Sequence, residues 1–233
     1  MDYKNIFLST LQLFRKSKLV WIFGSLAIIN EIIYRASKYS IAQHPSYYAL
    51  YLLVVVTLYF SFLTECGLIY SANQILSNHN PTFSEVWAFC KSKARTLIAF
   101  YFYSFPIILF IVFIVELFRA SQISVSLTIF IGMFGTFFLN SLVTIFICTV
   151  ALNNLNALFA FWTGFSIVLN NFFHIIVLNC IFLIIQIFLT WSTKNTLFGI
   201  FLNVPLTVTI MLAYKEFITK NSYPTLSNAQ PTA

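Results

Sequence analysis

Residues 124–152 read SVSLTIFIGMFGTFFLNSLVTIFICTVAL and carry no charged side chain. They belong to a longer stretch, 120–193, that contains no Asp, Glu, Lys or Arg. Over the whole chain of 233 residues, 60% are hydrophobic and only 8% are charged. Such a sequence cannot cover a water-facing surface, so we expect the lipid bilayer to be the solvent for most of it.

The apolar runs have the length of membrane spans. A helix needs about 20 mostly apolar residues to cross the roughly 30 Å hydrocarbon core. Because the runs are continuous rather than alternating, they favour helices over a β-barrel. The sequence predicts an all-α fold, a polytopic transmembrane helical bundle, with six spans at about 19–34, 48–73, 96–117, 124–152, 172–191 and 197–214. We expect residues 1–218 to form one membrane domain and 219–233 to be a polar, disordered tail.

The basic residues indicate how the spans are oriented. With six spans and an inner N-terminus, the cytoplasmic segments carry nine Lys and Arg residues and the outer loops carry four. Positively charged loops resist translocation, so this bias predicts both termini in the cytoplasm. The first 18 residues are basic but lack the short apolar core and cleavage site of a signal peptide, so we expect them to be retained.

The net charge of +7 indicates contact with anionic membrane lipids. Nucleic acid is not an expected partner, because no basic stripe with interleaved aromatic residues lies outside the apolar runs. Five basic residues near the cytoplasmic ends are expected to contact lipid headgroups: Lys16, Lys18, Lys91, Lys93 and Arg95.

The chain also aligns with itself at a shift of 75 residues. Residues 14–18 fall on 89–93, and Trp87 falls on Trp162. This register predicts three tandem units, 1–75, 76–150 and 151–225, each with an amphipathic cytoplasmic segment, a span outward and a span back. The alternative is chance similarity within an apolar sequence.

The clearest amphipathic segment is 81–95. Its apolar positions 83, 86, 87, 90 and 94 share one helical face, and Thr82 with Glu85 has the spacing of a capping box. Positions 158, 161, 162, 165 and 169 repeat the pattern one unit later, while the N-terminal copy is weaker. We expect these helices to lie in the cytoplasmic interface, apolar face toward the lipid, before the chain turns into the next span.

Few polar side chains fall inside the predicted spans. Glu65 lies within the second span, and a carboxylate in lipid must be protonated, paired or facing a wet cavity. Asn140 and Asn179 fall at a comparable predicted depth. One interpretation is a cluster of Glu65, Asn140 and Asn179 that binds a headgroup, a proton or an ion. The other, which we favour, is hydrogen bonding between helices.

Three further residues or pairs have ordinary interpretations. Glu31 and Arg35, four residues apart, predict an ion pair near the outer end of the first span. His174 is expected to be a satisfied interfacial histidine rather than a ligand or a base. Pro106 lies inside the third span, where it predicts a kink, either at a hinge or cavity or as ordinary helix irregularity.

The sequence offers little for catalysis. Asp2 is the only aspartate, and none of the three histidines has a second His or Asp at metal-ligand spacing. Neither HExxH, GxSxG, a P-loop nor a glycine-rich dinucleotide turn occurs. The four cysteines show no CxxC spacing and are expected to pack as small apolar residues. We therefore expect no enzyme activity, no metal and no cofactor.

The run FRKSKLVWIFG, residues 14–24, resembles the entry segment of uncharacterised bacterial six-span membrane proteins. These are similar to the membrane domain of glycerophosphoryl diester phosphodiesterases. Gly67 followed by FSEVW at 83–87, and the closing segment 205–217, resemble the same group. The resemblance implies an all-helical module in a bacterial inner membrane. It transfers no catalytic residue, because the phosphodiesterase site lies in a separate soluble domain whose acidic metal ligands have no counterpart in this sequence.

These features predict a multi-pass membrane protein without intrinsic catalysis, acting through contacts with lipids, a partner membrane protein or a second copy of itself. The alternative is a small transporter or channel subunit with its site around Glu65. A membrane-embedded lipid enzyme using His174 or Glu65 is the third possibility. A water-accessible cavity that reaches Glu65 would favour transport, and a sealed environment would favour a scaffold.

Overall fold

The computed structural model describes residues 2–44, 48–120, 125–153, 155–193 and 197–221. Within these ranges the regular structure is entirely α-helical, which confirms the predicted all-α class. Eight helices follow one another in this part of the chain: α1 Tyr3–Lys16, α2 Lys18–Gln43, α3 Tyr48–Leu76, α4 Phe83–Ala120, α5 Val125–Asn153, α6 Ala157–Asn170, α7 Phe172–Thr193 and α8 Leu197–Asn221.

Each predicted span coincides with one helix: α2, α3, α4, α5, α7 and α8 in chain order. By length and composition, four described stretches can cross a bilayer: Lys18–Gln43, Tyr48–Leu76, Phe83–Ile114 and Phe201–Thr219. The α6–α7 pair qualifies only as one span bent by 81°, and α5 contributes a shorter apolar segment, Phe137–Asn153. Four or five candidate spans support a multi-pass membrane protein. The predicted tail, 219–233, starts inside α8 and otherwise lies outside the described residues.

Side-chain caps explain where three helices begin. Ser17 has an extended backbone that ends α1, and its hydroxyl accepts a backbone N–H from the first turn of α2. The predicted capping box is confirmed at α4. The Thr82 N–H donates to Glu85 Oε2 at 2.7 Å, and the Glu85 N–H donates to Thr82 Oγ1 at 3.3 Å. Asn156 caps α6 by accepting a backbone N–H through its Oδ1.

The three predicted interfacial segments take different forms. α1 and α6 are separate helices, and Asn171 lies at the bend between α6 and α7. Segment 81–95 instead continues directly into the third predicted span, because α4 runs from Phe83 to Ala120 without interruption. The expected turn is absent from this helix. Residues 91–97, KSKARTL, contain no Gly or Pro and several strong helix formers, so nothing stops the helix there.

α6 buries a face different from the predicted apolar one. Of the predicted face, Phe161 is buried, whereas Trp162 and Leu169 are 58% and 51% exposed. The buried side includes Ala160 and Gly164, and a Cβ at Gly164 would lie only 3.5 Å from a backbone nitrogen of α5. When lipid is the solvent, small residues let helices approach and large apolar ones can face outward.

The centre of the bundle is formed by α3, α5 and α8, which contact one another. α2, α4 and α7 each pack against the helix that follows them. Glycines allow the closest approaches between these layers. A Cβ at Gly24 of α2 would lie 2.8 Å from Val204 Cγ1 of α8, and Gly67 of α3 lies directly against the ring of Phe23.

Three further contacts link the predicted repeat units. α1 contacts α8, α4 contacts α3, and α6 contacts α5. In each case a helix that opens one predicted unit packs against the helix that closes another. Each helix therefore contacts the next one along the chain, and α8 contacts α1, so that the contacts form a closed ring.

Candidate functional site

The three residues of the predicted polar cluster have different surroundings in the structure. Asn179 of α7 is buried, and its Nδ2 donates to Ser141 Oγ of α5 at 2.9 Å and to the Ile175 carbonyl at 2.8 Å. Asn140 is exposed, and its backbone carbonyl accepts the Thr144 hydroxyl. Asn179 thus joins two helices, as the favoured interpretation expected of it.

Glu65 borders two small cavities. One, of about 40 Å³, is bounded by α2, α3 and α8. The other, of about 190 Å³, is bounded by α3, α4 and α5. Ser61 and Glu65 line both, because a spacing of four residues places them on one face of α3. Neither Asn140 nor Asn179 is among the described residues that line them.

The smaller cavity is the more polar. Its polar lining comes from three helices: Glu31 of α2, Ser61 and Glu65 of α3, and Asn203 and Thr207 of α8. Two carboxylates therefore line one cavity. Among the described residues, no hydrogen bond or ion pair engages the Glu65 carboxylate.

Glu31 is held by the predicted ion pair. Arg35 Nε lies 2.7 Å from Glu31 Oε1, which confirms the pairing. The pair lies in mid-helix, because α2 continues to Gln43. Arg35 is half exposed, so the pair contributes little to stability.

Asn203 and Thr207 were missed by sequence reasoning. They flank Pro205 in α8 at a spacing of four residues, and the Thr207 hydroxyl donates to the Asn203 carbonyl at 3.0 Å. The spacing puts both on one face, a signal that the sequence does contain. It gives no indication, however, that this face meets Glu65 rather than lipid.

Other polar groups in the bundle pair with one another across helices. Asn30 of α2 donates to the Thr57 carbonyl of α3 at 2.7 Å, and the hydroxyls of Thr10 and Thr209 lie 3.1 Å apart. Two further hydrogen bonds play the same role: Lys215 donates to Asn73 at 2.8 Å, and Asn153 donates to Tyr214 at 2.8 Å. Each satisfies a polar group that lipid could not.

His174 has a protein partner. Its Nδ1 shares a hydrogen bond with the Tyr3 hydroxyl of α1 at 2.7 Å, and its ring stacks near Phe217 of α8. Burial raises the pKa of Tyr3, and the nearby Glu216 carboxylate raises it further. These contacts fit the expected satisfied histidine and fasten α1 to α7 and α8.

Cysteines that are far apart in sequence meet in the bundle. Cys66 of α3 and Cys90 of α4 are neighbours, and both are buried, as is Cys148 of α5. The expected role as small packing residues holds for these three positions. Within the described ranges, no group of three His, Cys, Asp or Glu side chains is arranged to hold a metal ion.

A third cavity, of about 480 Å³, lies between α4 and α5. Pro106 forms part of its wall. Its other lining residues in the described part of the chain are apolar, and the last of them belongs to α6: Ile107, Phe110, Ile111, Ile114, Gly135, Phe138 and Phe165.

The predicted headgroup residues occupy the starts of α2 and α4 and the end of α1. Lys16, Lys18, Lys91 and Arg95 are exposed, and Lys93 is half-buried. Lys91 lies over the Trp87 ring at 5.8 Å and Lys93 over the Phe89 ring at 5.6 Å.

Comparison with known proteins gives no relative: no family model, no curated protein and no solved structure matches this chain.

Proposed function

We propose that this chain is a six-span integral membrane protein without intrinsic catalysis that acts through contacts with lipids or a partner membrane protein. One observation carries the proposal. The polar groups of the described helices are largely bonded to one another inside the bundle, while large apolar side chains cover the outside. A surface of this kind has lipid or another membrane protein as its natural neighbour.

The outer surface is most apolar on α4 and α7. Phe102, Phe105 and Phe113 of α4 are more than half exposed, as are three residues of α7: Ile184, Ile187 and Phe188. The two faces belong to different parts of the bundle. Either could therefore pack against a partner while the other faces lipid.

The six spans and their orientation are part of the proposal. Helices occur at all six predicted positions, and the excess of Lys and Arg on one side supports both termini in the cytoplasm of a bacterial cell. Three tandem units account for the closed ring of helix contacts, in which α3, α5 and α8 take equivalent central places. A pseudo-threefold axis along the membrane normal would relate the units.

The test is extraction of the full chain in discs of its native membrane, followed by mass spectrometry of the proteins and lipids that accompany it. We expect a stoichiometric partner protein, a second copy, or a lipid enriched over the bulk membrane. Two variants map the contact: alanine at Phe102, Phe105 and Phe113 on α4, or at Ile184, Ile187 and Phe188 on α7.

Each variant controls for the other, because both remove the same number of exposed apolar side chains. Loss of the companion in one variant alone locates the interface. Recovery of the chain with no enriched protein or lipid, together with solute flux through vesicles that contain it, would contradict the proposal.

The second candidate function, a small transporter or channel subunit, is favoured by one observation. Glu65 and Ser61 line two cavities, and the Glu65 carboxylate has no protein partner among the described residues. Joined cavities around one carboxylate would give a path for a proton or a small cation. Flux that disappears in Glu65→Gln would establish this function.

A further inference from the structure

The apolar cavity between α4 and α5 has the size of a ligand site. Its volume of about 480 Å³ lies within the ~300–1,000 Å³ range of small-molecule pockets. One of its lining residues, Phe110, is 63% exposed at the outer surface of the bundle. Because α4 belongs to a candidate span, the medium that we expect at this surface is lipid.

Two residues with unusual backbone properties shape this cavity. Pro106 cannot donate the backbone hydrogen bond that continues a helix, and Gly135 contributes no side chain. A Cβ at Gly135 would lie 2.8 Å from Ile111 Cγ2, so α4 and α5 are in close contact at the cavity wall. A third helix, about 10–12 Å wide, cannot enter between helices that already touch. The space admits a slender, flexible chain.

A basic group lies on α4, N-terminal to the residues that line the cavity. Arg95 precedes Pro106 by eleven residues, which is about three helical turns and about 16 Å along the continuous α4. The two residues therefore share one side of the helix. This separation is close to half of the roughly 30 Å hydrocarbon core, which is the depth of one leaflet. Lys91 and Lys93 add positive charge at the same end.

We propose that this cavity holds one acyl chain of an anionic phospholipid whose phosphate binds Arg95, with Lys91 and Lys93 adding to the attraction. The inference rests on the proposed function and names the lipid class for it. The apolar lining supplies affinity without selectivity, because every phospholipid has acyl chains. The basic end supplies the preference for a negative headgroup.

The test is native mass spectrometry of the full chain in micelles doped with equal amounts of phosphatidylglycerol and phosphatidylethanolamine that carry identical acyl chains. The wild-type chain should retain phosphatidylglycerol in preference. Ile107→Trp, which fills the cavity, should lower retention of both lipids about tenfold, the equivalent of roughly two buried methylene groups. Arg95→Gln should leave a lipid bound but remove most of the headgroup preference.

Leu109→Trp is the matched control, because Leu109 is on the same helix, is 52% exposed and does not line the cavity. It should retain lipid as the wild type does. If Ile107→Trp fails to fold, Ile114→Trp replaces it, since Ile114 lines the same cavity.

Equal binding of the two lipids by the wild type, or equal retention by the Ile107→Trp and Leu109→Trp variants, would overturn the inference. The inference would also be overturned if a second copy of the chain accompanied the wild type and were lost from the Ile107→Trp variant. Co-purification of a partner protein without any retained phospholipid would reject the cavity lipid and leave the proposed function intact. If neither a partner protein nor a retained phospholipid were found, the cavity lipid and the proposed function would both be rejected.

Discussion

Gly67 on α3 lies against the ring of Phe23 on α2, so closely that no side chain fits between them. Phe23 is fully buried, and its ring also stacks on Phe83 of α4 with centroids 5.5 Å apart. The contact joins three helices through a single ring. It depends on the absence of a Cβ at position 67.

Gly67→Ala should therefore destabilise the protein by about 1–3 kcal/mol, because the added methyl group forces the Phe23 ring out of its place. Gly132→Ala is the matched control, since a Cβ at Gly132 meets no atom of the described residues within 4 Å. Removing a helical glycine there should raise stability by roughly 0.5–1 kcal/mol. Unfolding of both variants by denaturant titration in detergent measures the difference. Equal effects of the two substitutions would contradict the packing described for Phe23.

The hydrogen bond from Asn179 to Ser141 should contribute a measurable coupling between α7 and α5. Interhelical hydrogen bonds in membrane proteins couple by about 0.6 kcal/mol on average and by up to about 1.7 kcal/mol. A double-mutant cycle with Asn179→Ala and Ser141→Ala should fall in this range. Asn140→Ala should change stability by less than about 0.5 kcal/mol, because the Asn140 side chain is exposed. Additive effects at 179 and 141 would show that the bond contributes nothing.

Glu65→Gln should leave folding intact and should not lower stability. The carboxylate has no bonding partner among the described residues, so an isosteric neutral amide removes a costly charge without removing a contact. Thermal unfolding in lipid discs checks this prediction. A marked loss of stability would show that the negative charge is held by a partner in the membrane.

The same variant separates the two candidate functions. A protein that acts through lipid or partner contacts should retain its companions when Glu65 is replaced by Gln. Vesicles containing the wild type should then be as impermeable to protons and sodium ions as empty vesicles. Wild-type flux that the substitution abolishes would instead assign Glu65 to transport.

The bilayer explains how much of this fold the sequence predicts. Long apolar runs with few charges predict the positions of all six long helices, since a charged residue inside a span is costly, and the Thr82–Glu85 spacing correctly predicts the start of α4. The continuity of α4 was not predicted, because amphipathic periodicity indicates a face but does not specify a turn. The side of α6 that packs against the bundle was not predicted either, because large apolar side chains such as Trp162 can face lipid, and apolar character alone does not identify the buried side.

The candidate site was only partly predictable. Sequence reasoning singled out Glu65 because it is a carboxylate inside a span, and this depends on one helix alone. Its neighbours Glu31 and Asn203 come from α2 and α8, and their proximity depends on how the helices pack. Depth counted along each span placed Asn140 and Asn179 near Glu65, but equal depth does not specify which sides of the helices face one another.

The central claim, six spans with both termini on the cytoplasmic side, is tested most directly by labelling single cysteines in intact cells with a membrane-impermeant maleimide. Cys66, Cys90, Cys148 and Cys180 are first replaced by Ala. Cysteines placed at the ends of α2 and α7, Gln43→Cys and Thr193→Cys, should react from outside. Cysteines placed before α4 and α6, His79→Cys and Leu155→Cys, should react only after permeabilisation. Labelling of all four positions from the same side would contradict the account.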